Sequence, residues 1–180
     1  MIAILLNDAS FEQDIRELLM AFYPGETFTH KEEEAGEAEL IVRGVRDGNS
    51  FSLDVTPVKK EVVHFALIYP DFSNRFETKN EIKRTLYRLL SAQTGRELPW
   101  GTLTGIRPTK IALTKLYDGW TDEQIETYMR ETYFTSKEKI DLSIDVAERE
   151  RRLLSTIDYE NGYSLYVGIP FCPTTCLYCS

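Results

Sequence analysis

The sequence predicts an α+β fold in which a mainly antiparallel sheet with one helix on it precedes a block of helices. Three observations carry this reading. Between Glu26 and Tyr69 the apolar residues fall in short runs at strand spacing, separated by turn residues. Between Arg75 and Ser155 they recur every three or four residues, and Ser, Thr, Asn and Gly punctuate the runs as helix boundaries do. From Ser164 the chain turns to a short run rich in Leu, Tyr, Val and Ile, and all three cysteines follow at 172, 176 and 179.

Taken in order, Ile2–Leu6 is a short strand ended by Asn7-Asp8. Ser10 stands three residues before Gln13 as a capping box. The helix it opens places Phe11, Ile15, Leu18, Leu19 and Phe22 on one side, and Pro24-Gly25 ends it. Strands are expected at 27–30, 39–46, 50–58 and 61–69, with a hairpin turn at Asp47-Gly48-Asn49 and a second tight turn at Lys59-Lys60. Residues 1–70 thus form an α+β accessory unit without an evident catalytic group. His64, among Val62, Val63 and Phe65, reads as a half-buried structural residue, and Glu32-Glu33-Glu34 as a solvated loop or strand edge.

Residues 71–158 are expected to be helical. Ser73 or Asn74 caps a helix over Arg75–Thr94, Gly95 stops it, and Ile82, Leu86 and Leu89 mark its buried stripe. Lys79, Lys83, Arg84 and Arg88 give that helix a basic side. A solvated face is the simpler reading, and a surface that receives an anionic substrate is the alternative. Residues 99–110 form a loop feeding a helix whose first turn holds Pro108. Arg107 offers a planar fork suited to a carboxylate, with Lys110 one turn on. The preferred reading is structural, with Trp100 anchoring the loop and Arg107 paired to a nearby acid.

That helix ends near Tyr117 at Asp118-Gly119. Thr121 and Gln124 then form a capping box for a helix with Ile125, Tyr128 and Met129 on one face. Thr135 to Glu138 opens a longer helix, to about Ser155, that buries Ile140, Ile144, Ala147 and Leu154. Asn161-Gly162 is a tight turn leading into a strand at 163–169.

Composition narrows the classes. The chain has 180 residues, 42% of them hydrophobic, enough for a buried core. A formal charge of −8 argues against broad nucleic-acid binding, which relies on Lys and Arg neutralising phosphates. No apolar run approaches the roughly 20 residues that span a bilayer, and no basic leader precedes Ile2. Clustered cysteines with none elsewhere fit a reducing cytoplasm better than a disulfide framework.

Three thiols at gaps of three and two residues are suited to iron–sulfur clusters and zinc. Structural zinc takes four protein ligands, and the only histidines, His30 and His64, lie more than a hundred positions upstream. A four-iron cluster held by Cys172, Cys176 and Cys179 leaves one iron open. Zinc with a fourth ligand from elsewhere, and a redox pair made of Cys176 and Cys179, are the alternatives. Pro170 and Pro173 remove backbone donors and stiffen the turn.

Cys172-x-x-x-Cys176-x-x-Cys179, with Tyr178 before the last cysteine, resembles the signature of the radical S-adenosylmethionine superfamily. The flanks Tyr166-Val167-Gly168-Ile169-Pro170-Phe171 and Pro173-Thr174-Thr175 are similar to oxygen-independent coproporphyrinogen III oxidases. Gly168, where many of these have His, points to the HemZ-type branch, and residues 99–110 resemble a segment of the same branch. The resemblance implies a [4Fe–4S] cluster on Cys172, Cys176 and Cys179. It also implies S-adenosylmethionine on the open iron, with Tyr178 lining the adenine pocket and Tyr166 near the cofactor. Residues 159–180 become the start of a truncated (β/α) barrel, its first strand at 163–169.

The implied reaction is oxidative decarboxylation of two propionates of coproporphyrinogen III to vinyls. A 5′-deoxyadenosyl radical starts it, a low-potential donor supplies the electron, and no side chain is assigned as catalytic. A chain closing one residue after the third cysteine is expected to be an inactive N-terminal fragment. A radical-SAM-like haem chaperone and a protein-docking N-terminal module are the rival functions.

Overall fold

The computed structural model describes residues 1–58, 62–158 and 161–168. Strand β1, Ile2–Leu6, leads through helix α1, Glu12–Phe22, to β2, Phe28–Thr29. Strands β3, Leu40–Asp47, β4, Ser50–Pro57, and β5, His64–Ile68, complete one sheet in the order β2-β1-β3-β4-β5. Helices α2, Arg75–Thr94, α3, Thr109–Tyr117, α4, Asp122–Tyr133, and α5, Lys137–Leu154, follow. The fold is α+β, as expected, and all four helices of the expected block are present.

Two ladders are antiparallel, from Leu40↔Pro57 to Asp47↔Ser50 and from Phe51↔Ile68 to Val55↔His64. Gly48, at φ 58, supplies the left-handed turn between β3 and β4. β1, however, runs parallel to both β2 and β3. Helix α1 is the crossover that allows the first of these pairings, and apolar runs alone do not reveal strand direction. The turn expected at Lys59-Lys60 lies outside the described residues.

Period-two alternation sends Phe51, Leu53 and Val55 of β4 inward and leaves Ser52, Asp54 and Thr56 on the other face. Ile15, Leu18, Leu19 and Phe22 of α1 close over them. Ile82, Leu86, Tyr87 and Leu90 of α2 belong to the same core, so a second helix covers the sheet where one was expected. Burying each large apolar side chain contributes roughly 1.5–3 kcal/mol. A separate core joins α3, α4 and α5 through Ala112, Leu116, Ile125, Met129, Ile140 and Ala147.

Most helix ends follow the sequence. Asn74 accepts from the Glu77 amide, and Gly95 is left-handed at φ 68. The Thr121–Gln124 capping box is complete, and Ser136 accepts from the Lys139 amide. Two ends differ. A 3-10 turn, Ala9–Phe11, precedes α1, so Asp8 accepts from the Ser10 amide, and Gln13 bonds Glu17 instead of closing a box with Ser10. Pro108 sits at the N-cap of α3 rather than inside its first turn.

The largest correction concerns the first barrel strand. Residues 163–168 join no ladder and stand exposed. A strand needs a neighbouring backbone to satisfy its N–H and C=O groups, and none of the described residues provides one here. Ile169 and the cysteine loop lie outside the described residues.

Candidate functional site

Two sequence segments carried the functional reading. The cysteine segment, with Cys172, Cys176, Cys179 and Tyr178, lies outside the described residues. Tyr166 stands 91% exposed, with no neighbour among the described residues that marks a cofactor site. Among the described residues no group of three His, Cys, Asp or Glu side chains is placed to hold a metal. The two histidines have other partners: His30 Nε2 meets Glu12 Oε1 at 2.8 Å, and His64 Nε2 meets Gln93 Oε1 at 3.1 Å. The structural reading of His64 stands.

The second segment, 99–110, is well placed and acts as a strap. Gly101 is left-handed at φ 58, and a Cβ there would lie 1.9 Å from the Tyr133 carbonyl oxygen. Without a side chain, the strap lies against the α4–α5 junction. The Thr102 amide donates to the Tyr133 carbonyl at 2.7 Å, and the Ser136 amide donates to the Pro99 carbonyl at 2.9 Å. On the other side the Leu98 amide donates to the Tyr87 hydroxyl of α2 at 2.9 Å. Phe134 ends α4 in the left-handed region at φ 58, and its ring lies 5.6 Å from that of Tyr87.

Thr104 makes the link to the sheet core. Lys83 Nζ donates to Thr104 Oγ1 at 2.8 Å, and that hydroxyl donates to Glu17 Oε2 at 2.8 Å. Burial pushes the Lys83 ammonium below its ordinary value, against the pull of Asp14 and Glu17. Burial also opposes ionisation of Glu17. The bonds from Gln13 and Thr104 and the charges of Lys83 and Lys79 outweigh it, so the carboxyl stays below its usual value. The relay is therefore held as a charged pair bridged by a neutral hydroxyl.

This corrects part of the solvated-face reading of the basic helix side. Lys83 is buried, Arg84 donates to the Thr132 carbonyl at 3.3 Å, and the Arg88 guanidinium lies 4.9 Å from the Phe134 ring centre. Arg88 stays exposed over that ring, and Lys79 is half-buried, 3.9 Å from Asp14. Lys83 and Arg84 therefore hold α2 against the strap and α4, and the basic side is in large part structural. Sequence reasoning missed Gly101, Thr104 and Glu17. Only the cluster of Gly and Thr in the strap hinted at them.

Arg107 also takes its structural role. It pairs with Glu150 Oε1 of α5 at 2.8 Å and adopts a left-handed backbone at φ 59. Beside it lies an open groove of about 300 Å³, walled by Leu103, Ile106, Pro108 and Ile111, with Lys110 on its border. No helix among the described residues is long and apolar enough to cross a membrane.

Sheet, strap and helical core are followed in sequence by a three-cysteine segment, and the chain is similar to a HemZ-like protein. The relative is the oxygen-independent coproporphyrinogen-III oxidase-like protein HemZ of Bacillus subtilis (strain 168), 36% identical over 129 residues. That match takes in 69% of this chain and 25% of HemZ, so the chain spans about a quarter of the relative's length. No family model matches the chain, and no solved structure matches it.

Proposed function

We propose that the chain is the N-terminal portion of a HemZ-like enzyme that converts two propionates of coproporphyrinogen III to vinyls without oxygen. The observation that carries this is the similarity to HemZ in a chain with the Cys172-x-x-x-Cys176-x-x-Cys179 spacing. The donor set suits the cofactor: three thiolates satisfy three irons of a [4Fe–4S] cluster and leave one for S-adenosylmethionine. When bound, the two cofactors together supply one-electron, hydrogen-abstracting chemistry.

This chain's own part is to hold and position. Cys172, Cys176 and Cys179 would hold the cluster, Pro170 and Pro173 would stiffen the segment around the first of them, and Tyr178 and Tyr166 would border the S-adenosylmethionine site. Loss of carbon dioxide and transfer of electrons to a low-potential partner belong to the longer protein. The 180-residue chain alone is inert and holds a cluster poorly. Localisation in the cytoplasm follows from the oxygen-sensitive cluster and the reduced thiols it requires.

The test is anaerobic reconstitution of the full-length protein with iron and sulfide, then turnover of coproporphyrinogen III with S-adenosylmethionine and a reductant. Protoporphyrinogen IX is the expected product, and Cys172→Ala, Cys176→Ala and Cys179→Ala each abolish both cluster absorbance and product. Zinc in place of iron, or haem transfer without porphyrinogen turnover, overturns the proposal.

A further inference from the structure

The sheet ends in two very different edges. At one, β2 is only Phe28–Thr29, and the charged run Lys31 to Glu34 follows it directly. Short length and charge are the usual protections of an edge strand. At the other, β5 pairs with β4 alone, and its second backbone edge has no partner among the described residues. From Val62 to Pro70 there is no Asp, Glu, Lys or Arg. Phe65 is 62% exposed and Tyr69 71% exposed, and Val63 and Leu67 also face outward. Val45 is exposed on the same face two strands in, separated from Leu67 by Ser52, which lies opposite both.

We infer that β5 is a self-association edge, on which a second copy of this chain adds its own β5 antiparallel to form one continuous sheet. The pattern of the strand selects the occupant. Its outward residues, Val63, Phe65, Leu67 and Tyr69, are symmetric about Ala66. A two-fold axis at Ala66 sets Phe65 against Leu67 of the second copy and Val63 against its Tyr69, with the reverse pairs on the other side. Every outward position then meets an apolar one, as an isologous contact requires. A register shifted by one residue puts the outward row of one copy against the inward row of the other.

Charge agrees, because a strand without Asp, Glu, Lys or Arg brings no fixed like charges together, and His64 falls opposite Ile68 of the second copy. The four outward side chains offer roughly 400 Å² per copy, about 800 Å² in all, below the usual 1,200–2,000 Å² of stable interfaces, so the contact is a weak one that relies on the added backbone ladder. The dimer is therefore concentration-dependent, with dissociation on the order of micromolar.

Sedimentation velocity of the 180-residue chain over a dilution series tests this, in a background of Cys172→Ser, Cys176→Ser and Cys179→Ser. A dimer is expected at high concentration and a monomer on dilution. Phe65→Lys and Leu67→Lys, both at exposed positions, should shift the midpoint at least tenfold to higher concentration with an unchanged circular dichroism spectrum. Ala66→Cys should oxidise readily to a covalent dimer, and Val45→Cys, exposed on the outward face but off the edge, should not. A monomer at every concentration overturns the inference, and so does open-ended assembly. Association indifferent to both lysines, or equal cross-linking at 45 and 66, also overturns it.

Discussion

The sheet core and the helical core are built in opposite ways. The first places its aromatics at the centre: Phe11 meets Phe51 edge-on at 6.2 Å, and Phe22 meets Tyr87 at 5.4 Å, all four buried. The second is an aliphatic seam with alanines at close approach, with Ala112, Ala147, Met129, Ile125 and Ile140 inside. Its aromatics form a border, where Trp120 meets Tyr128 at 5.6 Å and Tyr128 meets Tyr133 at 5.7 Å. A core filled by large side chains specifies its own geometry through their shape. A seam lined by alanines depends on close backbone approach, and that approach is set from outside by the strap at 98–104. The helical core should therefore be the more sensitive of the two to damage in the strap.

The sharpest break is Gly101→Ala. The new Cβ collides with the Tyr133 carbonyl, which cannot move without pulling on the end of α4, and φ 58 is a poor conformation for any L side chain. We expect a loss of about 4 kcal/mol in urea unfolding, read by fluorescence of Trp100 and Trp120, which both lie in the strap and helical half. Gly105→Ala, in the same segment but with open space around it, should cost under about 1 kcal/mol. Equal effects at the two glycines would show that the close contact at 101 does not hold the halves together.

A smaller effect is expected at the opposite end of the strap. Thr104→Val leaves the Lys83 ammonium and the Glu17 carboxylate without their shared hydroxyl and should cost about 2 kcal/mol near neutral pH. The pH dependence has a definite sign. Glu17 is more acidic in the fold, so its contribution is present above its ordinary 4.5 and is lost as pH falls through the folded value. Lys83 is depressed below 10.5, so the unfolded chain holds that proton more tightly, and stability from this group rises as pH climbs from the folded value toward 10.5. The gap between wild type and Thr104→Val should thus narrow in acid. A gap that stays constant from neutral pH to below 4.5 would assign the threonine to packing alone.

Local signals in the sequence were read well and long-range ones poorly, for a physical reason. Asn74, Gly95, the Thr121–Gln124 box and Ser136 act on amides within a few residues, so their role is written next to them. The parallel pairing of β1 and the burial of Lys83 depend on partners many positions away. A lysine on a helix looks solvated until the fold places Thr104 above it. The family resemblance was legible because thiol spacing is itself a local pattern, and the similarity to HemZ bears it out. The strand expected at 163–169 went the other way: its composition suits a sheet, but composition provides no neighbouring backbone.

The mildest change separates the two roles of Arg107, whose loop carries the strap onward to α3. Its ion pair with Glu150 is largely exposed, so Arg107→Ala should cost only about 0.5 kcal/mol. Arg107→Gly loses the same pair but relieves a left-handed φ that costs an L residue roughly 1–2 kcal/mol, against about 1 kcal/mol of added chain entropy. Glycine should therefore be at least as stable as alanine, by up to about 0.5 kcal/mol, in the same urea assay. If so, the side chain is retained for what its guanidinium contacts, and the next measurement is turnover in the full-length protein. Unchanged turnover in Arg107→Ala confines that contact to Glu150 and the helical core. A loss of turnover far beyond the small stability change would mean that the fork reaches a carboxylate of the substrate, and the structural role given to this arginine would then be incomplete.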